Sequence, residues 1–242
     1  TIEPFKASFY SALIHRLYRL DEVLVLPFDA AFCALPWDKF VTENLIEKWN
    51  ACHVIAGFDY RFGTHGTGNA DLLAALCAEH GIGCDIIPPV VLDGVKVSST
   101  HIRTLLEHGD MREAARFLGH PYTIERPVRE GYHLGRTLGL PTANQHYPNG
   151  LLVPAFGVYA TDVWVGTERF SGVTNVGIRP TVSESGTVTA ETHILGFSGD
   201  LYGCTLRVEF LRQMRPERAF PDLSSLKTQI QSDIEMRREP AL

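Results

Sequence analysis

From Tyr122 onward the sequence is cut into short segments of alternating polarity, each bounded by glycine or proline. Side chains alternate across a strand, so this pattern demands a sheet with one wet face and one dry face. Four segments read as strands: Gly157 to Val165, Glu168 to Val176, Thr187 to Phe197 and Thr205 to Met214. The stretch YTIERPVREG, from Tyr122, reads as a fifth. Many short strands with frequent turn residues specify a barrel or a sandwich. The chain then closes in a helix, with Leu223, Leu226, Ile230 and Ile234 as its expected buried stripe and Asp222 as its cap.

The half before Gly119 follows a different pattern. EVLVLPF (Glu22 to Phe28) and CHVIAGF (Cys52 to Phe58) are continuous apolar runs, as buried parallel strands should be. Between and after them, Trp37 to Asn50 and Asn69 to Gly81 carry helical spacing. Ser98 opens a further helix that ends at Gly109, and Asp110 with Glu113 opens another. Alternation of this kind indicates a parallel sheet with covering helices. The change of pattern predicts two domains, 1–118 and 119–242, meeting near Leu118 to Pro121.

The 242 residues carry a net charge of -6, which argues against nucleic acid or a membrane surface bound through bulk charge. No apolar run approaches bilayer length, and no signal peptide pattern is visible. The five cysteines (Cys33, Cys52, Cys77, Cys84 and Cys204) form no C-x-x-C pair and read as reduced thiols of a cytoplasmic protein. The oligomeric state is left open.

Four stretches carry candidate chemistry. The loop GFDYRFGTHGTGN (Gly57 to Asn69) follows the carboxyl end of an expected strand, where ligands of open α/β sheets bind, although a plain glycine-rich crossover would look the same. SSTHIR (Ser98 to Arg103) sets hydroxyls and an arginine at a helix N-terminus, either an anion site or an ordinary cap. REGYHLGRTLGLPTAN places Gly131, Gly135 and Gly139 where backbone amides can approach phosphate, with Arg136 for charge. Thr142 and Asn144 then offer two neutral oxygens on one face of an extended segment, which suits Mg²⁺ arriving with a nucleotide. Finally, Glu191 on an expected strand could take a proton from an alcohol attacking phosphorus, and His193 shares its face.

These residues resemble a known family. G-R-x-L-G-x-P-T-A-N (Gly135 to Asn144), G-V-Y (Gly157 to Tyr159), N-V-G-I-R-P-T (Asn175 to Thr181), E-T-H-I-L (Glu191 to Leu195), D-L-Y-G (Asp200 to Gly203) and R-P-E (Arg215 to Glu217) stand in the order and spacing of the riboflavin kinase module. That module belongs to the bacterial bifunctional riboflavin kinase/FAD synthetases. The front half is similar to the adenylyltransferase module of the same proteins, through VLVLPFD, GFDYRFG and SSTHIR. Its G-x-F-D-G-x-H-x-G-H signature is missing here, and the sequence opens at TIEPF, where the family's second strand would end; omission of a first βα unit is expected.

The resemblance implies a Rossmann-like nucleotidyltransferase domain followed by a six-stranded antiparallel β-barrel with a terminal helix. It implies that ATP phosphorylates riboflavin to FMN, and that the complete protein adenylylates FMN to FAD, releasing pyrophosphate. Glu191 would be the catalytic base, and Thr142 and Asn144 the Mg²⁺ and phosphate ligands. Gly131, Gly135 and Arg136 would cradle the nucleotide, and Asn175, Arg179 and Arg215 would contact flavin, the segment from Asn175 to Thr181 acting as a flap. Gly57, Asp59, Phe62, Ser99, Thr100 and Arg103 would border nucleotide and flavin in the adenylyltransferase. A monofunctional kinase with a degenerate front module, or a non-catalytic flavin carrier, are the rival readings.

Overall fold

A computed structural model describes residues 14–15, 17–130, 139–148, 150–179 and 187–238. Cα packing divides the chain into two units, Thr1–Val90 and Val91–Leu242.

In the first unit a short helix, α1 (Ala30–Cys33), is capped by Asp29. One turn of α-helix, α2 (Trp37–Lys39), continues as a π-helix over Phe40–Lys48. Strand β1 (His53–Gly57) pairs in parallel with β2 (Gly83–Ile87), and α3 (Ala70–Glu79) connects them. Asn69 caps α3 by accepting the Leu72 N–H. Val41, Phe62, Leu73 and Cys77 are the centre of this unit's core.

Two expectations fail here. Glu22 to Phe28 is not a strand, and its Leu24, Val25 and Phe28 are exposed. An apolar run becomes a strand only beside a partner, and among the described residues β1 pairs with β2 alone. Cys52 to Phe58 does form a strand, but Ile55 is 66% exposed, so the strand is not buried on both faces.

The second unit opens with a hairpin, β3 (Val91–Leu92) and β4 (Val95–Lys96), turned by Asp93-Gly94. Both turn residues have positive φ, the geometry that matches the twist of a hairpin and selects Asp-Gly. Ser98 caps α4 (Ser99–Glu107) and Asp110 caps α5 (Met111–Leu118) through the Glu113 N–H. The Glu113 carboxylate turns to Arg116 instead of closing the capping box. Gly119, in the left-handed region, ends α5. Leu106, Met111 and Ala114 of these helices join the core of the β-sheet that follows.

That sheet has six strands: β5 (Tyr122–Pro127), β6 (Ala143–His146), β7 (Gly157–Val165), β8 (Glu168–Arg179), β9 (Thr187–Ile194) and β10 (Thr205–Pro216). Their spatial order is β5-β10-β7-β8-β9-β6, with every adjacent pair antiparallel. An antiparallel bridge between Arg129 and Asn144 brings the two ends of this order together, which makes the sheet a barrel. Gln145, wholly buried, reinforces the seam by donating to the carbonyls of Arg126 and Leu206, each at 2.8 Å. The interior holds Tyr159, Val163, Val176, Ala190, Val208 and Phe210. Buried Thr161, Thr174 and Thr192 link hydroxyl to hydroxyl at 2.9 Å.

The last helix, α6 (Leu223–Arg238), lies on the outer face of the barrel, where Ile230 and Ile234 meet Val158 and Val173. Asp222 caps it by accepting the Ser225 N–H at 2.7 Å. Leu223 is not part of its buried stripe: it is exposed, and Asp233 is buried in the stripe instead.

Candidate active site

The barrel's register assembles the site. Asn144 on β6 pairs directly with Glu191 on β9, and Glu191 pairs with Asn175 on β8. Asn175 pairs with Val158 on β7, and Val158 with Arg215 on β10. Directly opposed residues of an antiparallel ladder project on the same face, so five strands contribute one row of side chains. The row lies on the outer face, beneath α6. A cavity of about 260 Å³ opens there, lined by Thr142, Asn175, Glu191, His193, Arg215 and Glu217 among others. A second cavity, of about 370 Å³, lies beside Gly139, Asn144, Thr192, Asp200 and Tyr202. Thr142 borders both.

Arg215 is fixed in this row by α6. Its Nε donates to both carboxylate oxygens of Asp233, at 3.1 and 3.2 Å, and its Nη2 donates to Oδ2 at 2.9 Å. Asp233 is 1% exposed. Its charge is further matched by Gln229, which donates to Oδ1 at 2.8 Å and in turn accepts from Arg218. The guanidinium groups of Arg215 and Arg218 lie 5.7 and 4.8 Å from the centre of the Phe220 ring. The cavity thus has a cationic and aromatic wall, suited to a planar ring carrying polar atoms. Asp233, Glu217, Arg218 and Phe220 are additions to the sequence reading. Asp233 stands three residues after Ile230 on the helix, a spacing that places it on the inner face.

The Glu217 carboxylate lies against the backbone of Gly177, at a point where any Cβ would overlap it. The Asn175 amide points to the same carboxylate at 3.5 Å. Arg179 ends β8, and its side chain is outside the described set, as are Gly131, Gly135, Arg136 and Thr181.

Among the described residues no group of three or more His, Cys, Asp or Glu side chains could hold a metal ion. The candidate donors are neutral: the Thr142 hydroxyl and the Asn144 amide oxygen. Neutral oxygens fit Mg²⁺ that arrives bound to phosphates and keeps several waters. The Asn144 Nδ2 donates to the Thr142 carbonyl at 3.4 Å, which sets the amide beside the threonine.

The front-half candidates fall in different packing units. Gly57, Asp59 and Phe62 belong to the first, and Ser99, Thr100 and Arg103 to the second. Phe62 is buried, stacked on Tyr60 with ring centres 5.0 Å apart and packed against Trp37 and Phe40. Ser99 and Thr100 are exposed at the first turn of α4, and Arg103 is exposed one turn further on.

A carboxylate facing neutral oxygen donors across two strands, next to two adjoining cavities, has the parts that phosphoryl transfer to an alcohol requires. Comparison with known proteins agrees. The riboflavin kinase family model matches residues 118–240, and the FAD synthetase family model matches residues 12–101. The chain is 37% identical to a bifunctional riboflavin kinase/FMN adenylyltransferase of Pseudomonas fluorescens, covering 90% of this chain and 70% of that protein. It is 34% identical to the Bacillus subtilis protein of the same name, over 88% of this chain and 67% of the relative, and 35% identical to the Escherichia coli K12 one, over 91% and 70%. A crystal structure named as a macrolide-efflux protein from Streptococcus pneumoniae superposes with a TM-score of 0.82 at 30% identity, over 95% of this chain and 74% of that one. Among the described residues no helix is long and apolar enough to cross a membrane. The chain belongs to the family of bifunctional riboflavin kinase/FMN adenylyltransferases.

Proposed function

We propose that residues 119–242 transfer the γ-phosphoryl group of ATP to the 5′-hydroxyl of riboflavin, giving FMN and ADP. The observation that carries this reading is the register of Glu191, with Asn144 and Asn175 as its two cross-strand partners and Thr142 at the meeting of two cavities. Riboflavin occupies the outer cavity, its ring against Phe220 and Arg215 and its ribityl chain towards Glu191. ATP occupies the second cavity. Glu191 takes the proton of the 5′-hydroxyl as the oxygen attacks the γ-phosphorus. Thr142 and Asn144 hold the phosphates in line, and Gly131, Gly135 and Arg136 bind the nucleotide. Mg²⁺, when bound with ATP, neutralises charge on the transferring group. Asn175, Arg179 and Arg215 position the flavin.

The front part, residues 1–118, serves the second reaction in the complete protein, transfer of AMP from ATP to FMN to give FAD and pyrophosphate. The setting is cytoplasmic and the partners are small molecules, in keeping with the net charge of -6 and with cysteines free of disulfides. Incubation with riboflavin, ATP and Mg²⁺, followed by chromatography, tests the reading. FMN alone supports a kinase and FMN with FAD the bifunctional enzyme, whereas neither product contradicts both and favours a flavin carrier.

A further inference from the structure

The ladder between β6 and β9 stops one residue short of Thr142. Ala143 pairs with Thr192, and continuing the register would set Thr142 opposite His193 and Pro141 opposite Ile194. β6 nevertheless begins at Ala143, because Pro141 has no N–H to donate. The stretch Pro141–Thr142, which carries a proposed phosphate and metal ligand, is therefore without ladder support at the point where the two cavities meet. A side chain replaces the ladder: the His193 ring Nδ1 lies 2.9 Å from the Pro141 carbonyl oxygen. His193 stands two positions beyond Glu191 on β9 and lines the same cavity as Glu191 and Thr142.

We infer that His193 is a positioning residue, which ties the Pro141–Thr142 backbone to the strand bearing Glu191. A carbonyl oxygen can only accept, so the proton sits on Nδ1, and the neutral ring keeps Nε2 as its acceptor. Through this tether the distance between the Thr142 hydroxyl and the Glu191 carboxylate is set within one pair of strands. Misplacement of a reacting group by about 1 Å can cost about 100-fold in rate, so a tether outside the chemistry can govern turnover. The inference rests on the kinase reading above, but the hydrogen bond itself is tested apart from it.

Two substitutions separate the tether from bulk. His193→Phe keeps a ring and removes the donor, whereas His193→Asn places an amide N–H near the position of Nδ1. Three measurements apply: the ¹⁵N tautomer of His193 in the neutral ring, calorimetric binding of Mg²⁺–ADP, and kcat for riboflavin phosphorylation, with thermal melts to confirm folding. Loss of one hydrogen bond in His193→Phe should weaken Mg²⁺–ADP binding about fivefold, with a smaller change in riboflavin affinity read by flavin fluorescence. It should lower kcat about tenfold or more, and His193→Asn should restore both to within about twofold. An Nε2–H tautomer, a His193→Phe protein with unchanged Mg²⁺–ADP affinity and kcat, or a His193→Asn protein as impaired as His193→Phe would each overturn the tether. A wild-type protein that shows the Nδ1–H tautomer but no phosphorylation would sink the kinase reading and leave the tether standing.

Discussion

Arg215 on β10 and Asp233 on α6 form a three-bonded ion pair in the wall of the proposed flavin cavity, with the aspartate almost wholly buried. Breaking a buried pair by removing one member strands the other charge, at a cost of about 3 kcal/mol. Asp233→Ala should therefore lower the melting temperature and raise KM for riboflavin. Arg215→Met combined with Asp233→Leu should recover much of the stability, since an apolar pair of similar volume suffers no stranded charge, but not the flavin affinity. Melts and steady-state kinetics on the wild type, Asp233→Ala and the double variant check this. A double variant with normal flavin affinity would show that the pair only anchors the helix.

Thr142→Val keeps shape and removes an oxygen. If Thr142 holds the phosphates and Mg²⁺, kcat should fall about 100-fold, with riboflavin binding little changed. Removal of divalent metal by a chelator should stop the wild-type enzyme, and added Mg²⁺ should restore it. Activity that survives chelation would exclude Thr142 and Asn144 as metal ligands.

Alkaline pH should unfold the barrel through two tyrosines. Burial pushes the Tyr147 hydroxyl well above its ordinary value, helped by neighbouring Tyr122 and Tyr159. Burial likewise raises Tyr159, whose hydroxyl donates to the Ala155 carbonyl. In both, the folded state favours the protonated form. Their stabilising effect is thus fully present below the unfolded tyrosine pKa of about 10 and is lost as pH rises above it. Denaturant midpoints should be flat up to about pH 10 and fall beyond it, as the tyrosinate absorbance rises. The fall should be shallower in Tyr147→Phe.

Gly63 has φ +71°, and a Cβ there would overlap the Trp37 backbone. Gly63→Ala combines an unfavourable backbone region with an unrelievable clash, and should destabilise the first unit by more than about 2 kcal/mol. Differential scanning calorimetry should show an earlier transition for that unit, while kinase activity persists.

The barrel was legible in the sequence because each strand carries its own alternation and its own flanking glycine or proline. Gly157 to Val165 is an example, a strand with both ends where the alternation and glycine place them. The first domain was less so. Glu22 to Phe28 is apolar enough for a strand, but strand formation depends on a neighbour that the segment itself does not encode. In the site, Thr142, Asn144 and Glu191 each stood out by residue type. Their alignment did not, because the pairing of Asn144 with Glu191 is fixed by a register between strands 47 residues apart (191 minus 144). Asp233 was hidden by its charge: it occupies the inner face of an amphipathic helix where an apolar residue was expected, and only the arginine it meets explains it.

The most direct test of the central claim is single-turnover phosphorylation of riboflavin by Glu191→Gln. The amide is isosteric and cannot accept the proton of the 5′-hydroxyl, so the rate should drop at least about 100-fold, with riboflavin and Mg²⁺–ADP affinities close to wild type. A Glu191→Gln protein that phosphorylates riboflavin at the wild-type rate would contradict the account.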